Sequence, residues 1–585
     1  MNIRECDVLT TIADKKPKNQ RLISELSGHS LGIVNRSVRS LIEKGYLNKN
    51  LQITEKGQQK LENNRPECAI ILAAGFGMRM VPINMETPKG LLEVHGEPLI
   101  ERLICQLQEV GIHKIYIVVG FMKEHFEYLM DKYNVELIVN SEYDKKNNLH
   151  SLIKVIEHLS NAYIVPCDIW CLENPFKRSE LYSWYMVSDQ EDTESWVRVN
   201  KKMELVFSGK NETGHKMIGI SYLQAPQASR VQKRLIELSG EPYYDHAFWE
   251  AALYNDNKMI VAAKVVQDSY VLEINTYEQL RELDQNSNHL KTDAITLISN
   301  VLSVEPEMIN NISILKKGMT NRSFVFSCKE KRYIMRIPGE GTEALINRRQ
   351  EAEVYRVIKD RELSDRVVYI NPDNGYKISE YLTGARVCDC NSRSDVEKCM
   401  AQLRQFHRME LKVDHEFDIF RQIDFYEGLW DGAGSAYKDY DETKHNVFSL
   451  RDYIKRHTGQ KTLTHIDSVP DNFLFVPDGC GHENIRLIDW EYSGMQDPHV
   501  DIAMFCIYAM YSRKQIDELI DIYFENCCSP EIRLKIYCYI SACGLLWSNW
   551  CEYKRMLGVD FGEYSLRQYR YAKEYFRIVQ KEILN

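Results

Sequence analysis

Three polar residues in the last third of the chain have the types and spacing needed for phosphoryl transfer. Residues 465–472 read HIDSVPDN, and Asp489 follows in the apolar stretch IDWEYSG. Moving a phosphoryl group from a nucleoside triphosphate requires a base at the accepting hydroxyl, ligands for Mg2+ and cations on the phosphates. Asp467 suits the base, and Asn472 and Asp489 suit the metal. Pro470 and Asp471 fix the intervening loop, so that Asp467 and Asn472 face one point.

A second phosphate-type loop stands almost four hundred residues earlier, ILAAGFGMR (71–79). A glycine-rich turn leaving a strand lets backbone N–H groups approach a phosphate. Met80 stands where the dinucleotide fingerprint needs its third glycine, and no Lys-Ser/Thr pair follows as in a P-loop. Instead Arg79 comes directly after the glycines and Lys89 lies in TPKGLLEV (87–94). Two cations about ten residues apart can flank one triphosphate and offset charge that builds on the α-phosphorus under attack.

This stretch resembles the sugar-nucleotide pyrophosphorylase-like nucleotidyltransferases, and among them the bacterial CTP:phosphocholine cytidylyltransferases. The likeness covers about 67–284 and includes VVGFMKEHFEYL, NSEYDKKNNLHSL and the strand-end Asp168. It implies that Ala73, Gly75, Gly77, Arg79 and Lys89 hold the CTP phosphates, with Arg79 and Lys89 catalytic, and that Asp168 binds Mg2+. In LEIN (272–275) the sequence departs from the family's EID: the second metal position is Asn275, an uncharged ligand where Mg2+ prefers carboxylate. Either Glu273 helps, or the metal is held more weakly. PYYDHAFWE (242–250) places Tyr244 and Asp245 where a quaternary ammonium group could be held; core packing is the other reading of these aromatics.

The Asp467–Asn472–Asp489 set resembles the choline kinase and aminoglycoside phosphotransferase superfamily over about 294–585. The resemblance implies a phosphate loop at KKGMTNRSFVF (316–326), with Gly318 and Asn321. It further implies a phosphate cation at Arg336, an acidic partner for it at Glu351, and a backbone contact to adenine at ISEYL, around Glu380. Trp547, Trp550 and Lys554 fall on one helical face, at i, i+3 and i+7. Choline kinases carry a similar Trp pair in an aromatic cage, and ring quadrupoles attract a quaternary ammonium. Glu491 and Tyr492 would add to that wall. A Trp stripe also reads as plain core.

The elements that must position these groups fall into segments. Residues 1–64 have helical apolar spacing followed by a strand-and-turn signal, and LIEKGYL…ITEKG resembles a winged helix-turn-helix. Its second helix would expose Asn35, Arg36 and Arg39 towards a DNA or protein partner, and the segment carries 11 Lys/Arg against 7 Asp/Glu. Residues 65–284 alternate buried strands and amphipathic helices, the pattern of a parallel α/β sheet of Rossmann-like type. DQNSNHLKTD (284–293) reads as a linker, which separates the two domains over 285–293. From 294 to 585 a strand meander, a helix expected over 343–360 and a mainly helical remainder suggest a two-lobed protein kinase-like fold. The expected class is therefore multidomain, α/β and α+β.

Bulk properties narrow the function. The chain has 585 residues and a net charge of −10, which argues against a protein coated in nucleic acid. Sixteen cysteines without a CxxC pair fit reduced thiols in the cytoplasm. The longest apolar run, 503–511, is far short of a membrane span. The expectation is a cytoplasmic bifunctional enzyme: choline and ATP give phosphocholine, then phosphocholine and CTP give CDP-choline and pyrophosphate, with Mg2+ at both sites. The same chemistry on another amino alcohol or a sugar stays open, as does a DNA-binding regulator that senses CDP-choline.

Overall fold

The computed structural model describes residues 1–193, 195–207, 213–317, 321–339 and 345–584. It divides into two compact units, Met1–Leu297 and Ile298–Asn585.

The first unit opens with helices Ile3–Lys15, Gln20–Ser27 and Leu31–Glu43 around Val8, Leu9, Ile23, Val34, Val38 and Leu41. Asn35, Arg36 and Arg39 are exposed on the third of these. The expected strand-and-turn shrinks to one bridge, Leu47 with Ile53. EKG, read as a turn, instead begins the helix Glu55–Glu62, which Thr54 caps by accepting from the Gly57 amide. Glycine normally weakens a helix. Here it is required, because a Cβ at Gly57 would run into the Tyr46 carbonyl. Leu181 and Tyr182 complete this small core, and the Tyr182 hydroxyl donates to Asp7 Oδ1 at 2.7 Å.

Cys68–Ala73 pairs in parallel with Ile115–Val119 and Ala162–Pro166 in a ten-stranded mixed sheet, third from one edge. All six of its residues are buried because both faces are covered. Successive side chains point to opposite faces. Ala69 and Ile71 meet Ile100, Leu103 and Ile104 of the helix Leu99–Glu109. Ile70 and Leu72 share a core with Leu149, Leu152, Val231 and Leu235 from the helices Asn148–Ile153 and Ala225–Ser239. The 285–293 stretch is packed onto this body: Ser287 donates to the Glu93 carbonyl at 3.1 Å, and the Leu290 carbonyl accepts from Tyr277 at 3.0 Å.

The second unit has a sheet lobe and a helical lobe. The sheet is antiparallel, in the order Asn310–Lys317, Asn321–Cys328, Lys331–Pro338, Lys377–Glu380, Val367–Ile370. The helix expected from 343 occupies Arg348–Ile358, started by the Asn347 side-chain cap. The helical lobe is built on Pro530–Met556, whose Gly544 lies so close to Glu563–Leu584 that a Cβ would sit 2.8 Å from the Gln568 carbonyl oxygen. Among the described residues no helix is long and apolar enough to cross a membrane.

Candidate active sites

In the first unit the Cys68–Ala73 strand delivers the glycine loop. Gly77 has φ +62°, and a Cβ there would press on the Lys89 stem at 3.3 Å. Asn84 ties the loop by donating to the Phe76 and Gly77 carbonyls at 3.4 and 3.2 Å. Lys89 reaches across to pair with Asp168 and donates to Asn275 Oδ1 at 2.7 Å, which also accepts from Arg79 at 3.3 Å. Arg79, Lys89, Asp168 and Asn275, from four separate segments, therefore meet at one point. Ala73 and Gly75 lie on the strand and loop beneath it. Glu273 is beside them: its carboxyl is raised by burial first and by Asp168 second, and is eased by Asn275, Lys89 and Arg79.

This donor set fits a divalent cation. Asp168 Oδ1 is buried without a hydrogen-bond partner among the described residues, an acceptor suited to a metal or its water. Among the described residues no three His, Cys, Asp or Glu form a metal cluster. That is compatible with Mg2+, which is usually held by one or two carboxylates plus substrate phosphates.

Beyond Glu273 comes a group that the sequence reading missed. Glu250 accepts from the Tyr185 hydroxyl at 2.8 Å, while its other oxygen is buried without a partner among the described residues. Burial, with Glu273 adding to it, pushes its carboxyl up to about 7. Burial first, and Glu250 second, raise the nearby Tyr254. Tyr254, Phe207 and Trp196 form a ring triad with centroids 5.1–5.5 Å apart, and Trp196 is half exposed. Asp245, by contrast, lies 3.3 Å from His150 and 3.6 Å from Lys146, and Tyr244 stacks edge-on against Tyr243.

In the second unit the HIDSVPDN loop is held from behind. Asp501 accepts from the His465 and Ile466 amides at 3.0 and 2.8 Å, and from His407 at 2.9 Å. Asn472 donates to the Asp467 carbonyl at 2.8 Å and to its carboxylate at 3.1 Å, which brings the two together as their spacing suggested. Asp489 adopts φ +68°, a region that non-glycine residues enter only where the surroundings impose it. Burial first, and Asp489 second, push the Asp467 carboxyl up to about 7. Two carboxylates opposing one another in this way also fit a divalent cation between them.

Arg336 forms a forked pair with Glu351 at 2.5 and 2.8 Å. Gly318 lies outside the described residues, as does the side chain of Asn321. The Glu380 and Tyr381 amides donate to the Arg366 and Arg332 carbonyls. Tyr492, Trp547, Trp550 and Phe561 form a chain of rings, with centroids 5.6, 5.6 and 5.0 Å apart. Lys554 lies over Trp550 at 5.6 Å. Glu491, expected in that wall, has its carboxylate 3.2 Å from Arg348 and 3.9 Å from Arg336. Burial lowers the Lys554 ammonium, and Glu491 partly offsets that shift.

Comparison with known proteins finds relatives of both segments. The choline-phosphate cytidylyltransferase of Streptococcus pneumoniae is 33% identical over 223 residues, 37% of this chain and 96% of that protein. The chain belongs to the choline-phosphate cytidylyltransferase family. Residues 69–186 match the MobA-like NTP transferase domain, and residues 312–542 match Choline/ethanolamine kinase. The chain thus joins a cytidylyltransferase domain to a choline kinase-like domain. The 2-aminoethylphosphonate cytidylyltransferase of Lancefieldella rimae is 30% identical over 40% of this chain and 97% of its own length. The crystal structure of choline kinase LicA from Streptococcus pneumoniae is similar at 29% identity, TM-score 0.42, over 48% of this chain and 97% of that one.

Proposed function

We propose that the chain makes CDP-choline in two steps, phosphorylating choline with ATP and then transferring a cytidylyl group from CTP to the phosphocholine. The observation that carries this reading is the presence of two phosphate-handling constellations in one chain, each with its own cations and carboxylates. The product of one is the substrate of the other. Residues 1–64 form a winged-helix module with a DNA or protein partner, 65–284 the transferase, 285–293 the connection and 294–585 the kinase. The enzyme works in the cytoplasm.

In the kinase, Asp467 accepts the proton as the choline oxygen attacks the γ-phosphorus and ADP departs. Asn472 and Asp489 hold Mg2+, and Arg336, fixed by Glu351, faces the phosphates. In the transferase, a phosphate oxygen of phosphocholine attacks the α-phosphorus of CTP and pyrophosphate leaves. The loop amides at Gly75 and Gly77, with Arg79 and Lys89, take up the charge that develops. Asp168 and Asn275 hold Mg2+ there. At both sites the bound Mg2+ supplies charge neutralisation on the phosphates. Glu250 and the Trp196–Phe207–Tyr254 triad form an anionic, aromatic place for the trimethylammonium end of phosphocholine.

Choline specificity is tested on Trp550. A trimethylammonium group donates no strong N–H hydrogen bond and relies on ring faces, each worth ~0.5–2 kcal/mol. With the lost methyl contacts, Trp550→Ala is expected to cost roughly 2–3 kcal/mol, on the order of a hundredfold in kcat/KM for choline. Ethanolamine, whose ammonium can hydrogen-bond a carboxylate, loses less. The ratio of the two kcat/KM values cancels any change in the active fraction of the preparation. An unchanged ratio would make the tryptophans core packing and sink the cage.

Asn275 gives a second test. Both Lys89 and Arg79 donate to its amide oxygen, which carries no charge to share with a metal. Asn275→Asp should lower the Mg2+ concentration for half-maximal cytidylyl transfer by about tenfold, ~1.4 kcal/mol of added attraction. A raised or unchanged requirement contradicts a metal role for this position.

A further inference from the structure

Four charged side chains are buried together in the kinase-like unit, and the phosphoryl-transfer roles above use only Arg336 and Glu351. Arg336 from the strand Lys331–Pro338 and Glu351 from the helix Arg348–Ile358 are paired within the sheet lobe. Arg348 Nη1 donates to Glu351 Oε2 at 3.0 Å and to Glu491 Oε2 at 3.2 Å. Glu491 comes from the other lobe, two residues after Asp489. All four side chains are at most 7% exposed.

Arg348 stands in an unfavourable place for a cation. It is the first residue of its helix, where unpaired amides and the helix dipole favour anions. Burial adds a desolvation cost that only close counter-charge can offset. Glu351 also holds Arg336 through a two-point pair, so Glu491, from the other lobe, is the second carboxylate that faces Arg348. The backbone also makes room for this arginine. Gly375 has φ +71°, and a Cβ there would lie 2.6 Å from Arg348 Cδ. The carbonyl of that same glycine accepts from Arg336 at 3.0 Å.

We propose that Arg348 and Glu491 are a latch between the lobes, holding the Asp489–Glu491 segment in register with Arg336 so that one ATP meets both. Arg348 is then a positioning residue for the ATP phosphates, and Glu491 serves the nucleotide side of the site and not the alcohol wall. The proposal rests on the kinase reading of this unit. Within that reading, the metal-binding carboxylate and the phosphate cation come from different lobes, and without the latch their separation would vary from molecule to molecule.

The test uses the full chain and steady-state kinetics of choline phosphorylation for wild type, Arg348→Met, Arg348→Lys, Glu491→Gln and the double Arg348→Met/Glu491→Gln variant. Arg348→Met should raise KM for ATP and the half-saturating Mg2+ concentration by about tenfold or more, with KM for choline within about twofold. Arg348→Lys should recover only part of the loss, since lysine supplies the charge without the fork. The double variant should bind ATP better than Arg348→Met, because it no longer leaves a buried carboxylate without its Arg348 counter-charge. Glu491→Gln keeps the side-chain shape, so it tests the same point in a chain whose packing is preserved. A rise in KM for choline with KM for ATP unchanged would overturn the proposal, as would strictly additive losses in the double variant. A chain that phosphorylates a different alcohol would overturn the choline reading and leave this test intact, because KM for ATP is read with whichever alcohol turns over.

Discussion

Asp467→Ala is expected to reduce choline phosphorylation by about a thousandfold or more in kcat, within the range a positioned general base contributes. Cytidylyl transfer from added phosphocholine should stay within about twofold of wild type. The expectation follows from the loop. Asn472 holds the Asp467 carboxylate in place and Asp501 fastens the backbone behind it, so removing the carboxylate deletes the proton acceptor and leaves its support intact. The same carboxyl gives a pH signature. It accepts a proton only when ionised, and burial with Asp489 raises it to about 7. In wild type the phosphorylation rate should therefore fall as pH drops towards and below that value, and saturating Mg2+ should move the acid limb lower. Each rate is read by mass spectrometry of phosphocholine and CDP-choline from the same protein sample. A folded variant that loses both reactions would contradict separate sites.

Lys89→Ala should do the reverse. Loss of a cation aimed at developing charge typically costs about 100- to 1,000-fold in rate, and here two effects add. Lys89 donates to Asn275 and pairs with Asp168, so its removal also leaves Asp168 without its counter-charge. Choline phosphorylation should continue, and phosphocholine should accumulate in the presence of CTP. If CDP-choline still forms at close to the wild-type rate, Lys89 is a structural cation and Arg79 carries the phosphates alone.

The parts of these sites that were legible in the sequence are those fixed by short-range spacing. Asp467 and Asn472 are five residues apart in one loop, and Arg79 and Lys89 flank one turn, so residue types and intervals suffice. The buried strand Cys68–Ala73 was legible for the same reason, as an unbroken apolar run. What the spacing cannot carry is convergence between distant elements. Asp501 supports the HIDSVPDN loop from a helix about thirty residues away. Glu250, in the short helical turn Trp249–Leu253, meets Tyr185 of the strand Trp184–Asp192. Trp196, just before the strand Val197–Val199, forms a triad with Phe207 and Tyr254 only because the strands bring these segments together. Arg348 looks like any surface arginine at a helix start until Glu491 and Gly375 are placed beside it. The helix Glu55–Glu62 escaped because Gly57 argues for a turn locally, and only contact with Tyr46 explains a glycine inside that helix. Spacing could not show that the Glu491 carboxylate lies beside Arg348 and Arg336 while its neighbour Tyr492 joins the rings.

The central claim is that one polypeptide carries choline through both steps. It is tested most directly by supplying the purified full chain with isotopically labelled choline, ATP, CTP and Mg2+, and following labelled species by mass. Labelled phosphocholine should appear first, then labelled CDP-choline with release of pyrophosphate, and omission of CTP should stop the sequence at phosphocholine. Label remaining in choline, or held in phosphocholine while CTP stays unconsumed, would contradict it.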